Sequence, residues 1–227
     1  LALLPTMEAT ITGLGETKKV KIVKGVGTLT LDGPITDYAG NTVVATVNDQ
    51  SLSFAVYDKV KSFSELESNI QNTPAGGTYD VKGDFQLNTG VTGEESTYAQ
   101  GITIDKDIII DGHGLTINAT DANGNKVRIF KIVNGATVTL KDIILTGASA
   151  DNGGSILVDE GTLTLNKVTF TENNATNGGA VYSAEGNVNI VNSTFVKNTA
   201  TSSAVQIEKG TIEGSIFEGN SAGAVTL

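Results

Sequence analysis

The strongest constraint on this chain is an internal repeat of 25 residues. Leu145, Phe170 and Phe195 are 25 residues apart, and Phe217 follows 22 later. Val138, Leu163 and Val188 keep the same period, as do Leu140, Leu165 and Ile190, and Ile143, Val168 and Ser193. Ile156, Val181, Val205 and Val225 follow at spacings of 25, 24 and 20. Each unit carries three short, apolar-alternating strands separated by Gly, Asn and Asp turns. A unit of this length cannot bury its own apolar face. Stacking units at the ordinary interstrand distance of about 4.8 Å buries a continuous column of Leu, Val, Ile and Phe. The pattern predicts an all-β chain dominated by a right-handed parallel β-helix over residues 75–227. Its earlier strands are expected at Tyr79 to Leu87, Gly101 to Ile104, Ile108 to Ile110, Leu115 to Ile117 and Ile129 to Val133.

Residues 59–74 hold the one convincing helix. Ser64 and Glu67 fit a capping box, Phe63, Leu66 and Ile70 share a face, and Pro74 with Gly76-Gly77 ends it. This capping helix is expected to cover the first coil, whose unpaired edges would otherwise be open to edge-to-edge pairing. Residues 1–58 read as short strands at Thr10 to Thr12, Val20 to Val23, Thr28 to Leu31, Thr42 to Val47 and Leu52 to Val56, with Asn48-Asp49 at a hairpin turn. Such a set suits a small β-sandwich resembling a bacterial immunoglobulin-like module, shorter than a complete one.

Composition narrows the function classes. With 15 basic and 25 acidic side chains, the net charge of −10 argues against nucleic acid, which needs a basic patch. There is no Cys and one His, so disulfides, thiolate chemistry and Cys- or His-rich metal centres are excluded. No apolar run approaches the roughly 20 residues that cross a bilayer. The chain starts at Leu1 without a cleavable leader and stops at Leu227 in mid-pattern, so a piece of a longer protein is expected. An open last coil predicts a monomer or weak end-to-end association.

Phe170-x-x-Asn173, Phe195-x-x-Asn198 and Phe217-x-x-Asn220, with Gly178-Gly179-Ala180-Val181, resemble the repeats of chlamydial polymorphic outer-membrane proteins. Together with Ile109-Ile110-Asp111-Gly112-His113-Gly114-Leu115-Thr116-Ile117 and Asn192-Ser193-Thr194-Phe195, they resemble more closely the adhesin-like surface proteins of methanogenic archaea. The similarity covers residues 62–227. It implies an anchored, extracellular, cell-surface protein in contact with a surface protein or glycan of another cell, with immunoglobulin-like modules beside the β-helix.

The same fold hosts pectin-degrading enzymes, so catalysis is tested on its residues. Gly112-His113-Gly114 matches one polygalacturonase segment, and Asp105 and Asp107, read as two apart on a strand, would have Cα atoms about 6.6 Å apart. The N-T-D, Asp-Asp and R-I-K segments of those enzymes are missing, and Asp111-Gly112-His113-Gly114 reads as a turn. A lyase would need calcium held by acidic side chains and an arginine base. Arg128, the one Arg, sits between Val127 and Ile129, and alternation there predicts an outward, solvated side chain. Asp121, Asn123 and Asn125 space oxygens like a calcium loop. However, Lys126 and Ile132 replace the Gly and Glu that such a loop requires, and a plain turn is favoured. No cofactor is called for.

Outward columns are the remaining candidates. Leu157, Tyr182, Gln206 and Thr226 form a possible contact surface with one aromatic. Thr137/Thr139, Thr162/Thr164 and Asn187/Asn189 stack, then decay to Thr211/Glu213, too short an array for ice binding. Asn173, Asn198 and Asn220 stack at one turn as an amide ladder of structural role. Asn118, Asn174 and Asn192 head glycosylation sequons, which matter only if the chain is exported. Non-enzymatic adhesion is the favoured reading. The alternatives are a polysaccharide-active β-helix enzyme and a structural spacer.

Overall fold

The computed structural model describes residues 7–13, 17–22, 42–55 and 60–227. The chain divides into two compact units, Leu1–Lys59 and Val60–Leu227. In the first, β1 (Met7–Thr12), β2 (Lys18–Ile22), β3 (Thr42–Val47) and β4 (Gln50–Ala55) form one antiparallel sheet in the order β2-β1-β3-β4. Ala9, Ile11 and Val20 make its buried cluster. Asn48 and Asp49, both with positive φ, join β3 to β4, the conformation that matches the twist of a tight hairpin. The strand expected at Thr28 to Leu31 lies outside the described residues.

The second unit is a parallel β-solenoid of about five turns. Every strand pairing in it is parallel, and each coil presents three faces. The first face stacks Ile102–Ile104, Phe130–Ile132, Ile156–Val158, the starts of Val181–Val191 and Ser203–Glu213, and Gly223–Thr226. The second stacks Thr78–Asp80, Ile108–Asp111, Thr137–Lys141, Thr162–Asn166 and the ends of the two long strands. The third runs Phe85–Gln86, Thr116–Asn118, Ile144–Thr146, Thr169–Thr171, Thr194–Val196 and Ile216–Glu218. The stretch expected as one strand, Tyr79 to Leu87, is therefore two short strands on different faces.

Stacking places like side chains over one another. On the third face Phe85, Ile117, Leu145, Phe170, Phe195 and Phe217 are successive register partners. The last three rings stack nearly parallel, with centroids 4.8 and 4.6 Å apart. The last coil leaves apolar surface open, with Ile216 58% exposed.

The helix α1 (Phe63–Asn72) buries Phe63, Leu66 and Ile70 in the core of the first coil. Its capping box lies two residues earlier than the sequence suggests: Ser62 Oγ accepts from the Glu65 amide, and Glu65 accepts from the Ser62 amide. Both frames match the serine–glutamate spacing. The earlier one wins because it makes Phe63 the first helical residue and buries it completely. Glu94 supplies a second cap from 30 residues away. Buried at the start of α2 (Glu94–Thr97), it accepts from the amides of Phe63, Ser64 and Asn88 at 3.3, 2.7 and 2.7 Å.

The amide ladder is built from coil to coil. Asn173 Nδ2 donates to Leu145 O and Asn198 Oδ1, and Asn198 Nδ2 donates to Phe170 O and Asn220 Oδ1. Asn220 Nδ2 donates to Phe195 O. The backbone amides of Ala148, Asn173 and Asn198 donate to the side-chain oxygens of Asn173, Asn198 and Asn220. In Asn198→Leu, a residue of similar volume removes the acceptor of the buried Asn173 amide and a side-chain donor from the carbonyl of Phe170. The expected loss is about 2 kcal/mol or more in denaturant unfolding, and an unchanged midpoint would remove the ladder's structural role.

Candidate functional site

The first face carries the candidate contact column. Leu157, Tyr182, Gln206 and Thr226 are successive register partners, preceded by Lys131 and Thr103. Leu157, Tyr182 and Gln206 are half-buried and Thr226 is exposed. Lys131, next to Leu157, pairs with Asp159 at 3.0 Å. The Gln206 amide oxygen is covered and has no hydrogen-bond partner, a free-energy cost at the centre of the column.

At the edge of this face, beside Leu157, lies a pocket of about 330 Å³ lined by Ala99, Gln100, Arg128, Ala150, Asp151, Asn152 and Leu157. Arg128 is the residue the sequence placed wrongly. It is 4% exposed, not solvated, because Val127 to Ile129 is irregular backbone rather than a strand, so alternation does not apply. By register Arg128 stands where the next two coils have Gly154 and Gly179. Its side chain fills that corner, with its stem against Gly101. Nε donates to Gly153 O at 3.1 Å, Nη1 to Gln100 O at 2.9 Å and Nη2 to Asn152 O at 2.9 Å. Burial pushes its pKa down from the ordinary value, while Asp151 and Asp159 push it back up. All three nitrogens are committed as donors, so this guanidinium is a fixed cation and a poor base.

The other sequence candidates are placed as follows. Asp121, Asn123 and Asn125 do come together, but with donors facing the carboxylate. Asp121 accepts from the amides of Asn123 and Asn125 at 2.8 Å each, from Asn125 Nδ2 at 2.9 Å and from Asn88 Nδ2 at 2.7 Å. Four N–H groups already occupy the oxygens that a calcium ion would need. Burial opposes ionisation, but these hydrogen bonds outweigh it and hold the Asp121 carboxyl at about 2. Asp105 and Asp107 lie in the bend between Ile102–Ile104 and Ile108–Asp111, not on a strand, and Asp107 Oδ1 accepts from the Thr137 amide. His113 sits in a left-handed turn, 3.3 Å from Asp80 Oδ1 and 3.8 Å from Asp111 Oδ1. Asp80 and His113 are exposed and Asp111 is half-buried, and no local pattern announces the trio because Asp80 and Asp111 meet only through strand register.

The threonine column also needs correction. Thr137, Thr162 and Asn187 continue to Lys209, and Thr139, Thr164 and Asn189 to Thr211, not to Thr211/Glu213. A register shift between Ser183 and Asn187 shortens the coil there by two residues.

No protein-family model, curated protein or solved structure matches this chain. Among the described residues no helix is long and apolar enough to cross a membrane.

The Asp121 loop sets a pH dependence. A carboxyl held below its usual 3.8 stabilises the fold above that value and loses the contribution as pH falls toward 2. Wild type is expected to melt above Asp121→Asn at pH 6, with the gap closing progressively between pH 5 and pH 2. A gap independent of pH would show that the loop does not favour the ionised form.

Proposed function

We propose that this chain is a non-enzymatic, extracellular attachment module of the cell surface. In this reading a right-handed β-helical stalk presents its first face to a surface protein or glycan of another cell, and an immunoglobulin-like spacer precedes it. The observation that carries this reading is the in-register column Leu157–Tyr182–Gln206–Thr226, which sets an apolar and aromatic step beside a pocket on an acidic, Thr- and Asn-rich surface. A rigid solenoid suits the task, because stacked coils hold side chains at fixed spacing over a long surface. The resemblance to archaeal adhesin-like proteins and chlamydial repeat proteins supports the same reading. The polygalacturonase-like candidates are dispersed. Asp105 and Asp107 share the bend before Ile108–Asp111, His113 sits in the turn after it, and Arg128 is locked onto carbonyls.

The test is equilibrium binding of the fluorescently labelled chain to intact cells of a mixed microbial community. Saturable binding, displaced by excess unlabelled chain, is expected. Tyr182→Ala should weaken it about tenfold, because half-buried aromatics dominate such contacts. Binding that does not saturate would favour a structural spacer. Turnover of polygalacturonate or related glycans would favour an enzyme.

A further inference from the structure

We propose that the pocket beside Leu157 is a saccharide subsite that takes a neutral, hydroxyl-rich sugar residue in preference to a uronate. Three observations converge there. First, Arg128 is buried with a guanidinium that offers five N–H donors, of which three go to carbonyls. Two N–H groups, one on each terminal nitrogen, are left for a ligand. Among the described residues no carboxylate lies within ion-pair distance of it. A buried cation with spare donors is a costly feature for a surface that only spaces domains.

Second, Asp151 lines the same pocket from the Ser149–Asn152 strand. It is exposed, and the described residues give it neither a hydrogen bond nor an ion pair. The pocket therefore pairs a fixed donor with a free acceptor. Adjacent hydroxyls of a sugar each donate and accept, so one can take an Arg128 N–H while its neighbour donates to Asp151. Third, Leu157, Ala99 and Ala150 give an apolar wall for the C–H face of a ring, continued by Tyr182 on the next coil. A volume of about 330 Å³ is at the lower end of the range of about 300 to 1,000 Å³ for ligand pockets, room for one sugar unit of a longer glycan.

Charge sets the selectivity. Asp151 in the pocket and a net charge of −10 oppose an added carboxylate, and Asp159 offsets the nearby Lys131. With Arg128 facing Asp151, and Lys131 paired to Asp159, the site has no net positive charge to draw a carboxylate, while its donor and acceptor still suit neighbouring hydroxyls.

This assignment rests on the attachment reading for its biological use, but its test is independent of cells. The full chain is titrated with free glucose, galactose, mannose and galacturonate, followed by saturation-transfer NMR. At least one neutral hexose is expected to bind saturably, and galacturonate at least about tenfold more weakly. Asp151→Asn removes an exposed carboxylate without touching the fold. It should weaken the hexose about tenfold, the loss of one charge-assisted hydrogen bond, and narrow the gap to galacturonate. Arg128→Lys should abolish binding, with a melting curve to show whether the coil survives. The assignment is overturned if no hexose binds, if galacturonate binds more tightly than every hexose, or if Asp151→Asn leaves the affinity unchanged. Cells bound without sugar binding would sink the pocket and leave the attachment reading standing. Sugar bound without cell binding would do the reverse.

Discussion

Everything in this solenoid depends on each coil lying over the last in one register, and over residues 145–220 the asparagine ladder is the interaction that enforces it. Apolar columns alone do not. A slip of two residues keeps inward side chains inward and leaves Leu, Val, Ile and Phe in contact with one another. The ladder has no such tolerance. Asn198 binds the Phe170 carbonyl, the Asn220 side chain and the Asn173 amide at once, and a slip would orphan all of them in a buried site. The stacked rings of Phe170, Phe195 and Phe217 lie three residues before the ladder, so polar and apolar columns lock the same turn.

Fixed register turns a repeat into a surface. Once coils stack in register, outward residues that are about 25 apart in sequence become neighbours, which is how Leu157 comes to sit beside Tyr182 and Tyr182 beside Gln206. Departures from the repeat then carry the individuality of the molecule. Where the later coils keep Gly154 and Gly179, the earlier one has Arg128, and that one substitution buries a cation and shapes a pocket. One coil before Arg128, α1 and the buried Glu94 close the start of the stack.

The architecture was legible because burial has a period. Phe170, Phe195 and Val188 announce their columns through spacing alone, and the Asn173 turn follows from the same count. What escaped were features set by turns and by distant partners. Arg128 is hidden from the sequence because residues 127–129 are irregular backbone, where strand alternation does not hold. The capping frame was ambiguous because Ser62–Glu65 and Ser64–Glu67 share a spacing, and only burial of Phe63 chooses between them. The cap from Glu94, the Asp80–Asp111–His113 trio and the free carboxylate of Asp151 beside Arg128 are products of stacking. No local pattern encodes them. The two-residue shortening after Ser183 moved the threonine column by the same amount.

The most direct test of register locking is residue-resolved amide hydrogen exchange at Ala148, Asn173 and Asn198. These three amides donate to asparagine side-chain oxygens on the neighbouring coil rather than to backbone carbonyls. They are expected to exchange as slowly as the strand amides of Phe170 and Phe195, because they open only when coils separate. Exchange at the rate of an exposed turn, with the strand amides still protected, would contradict this locking and leave the register to apolar packing alone.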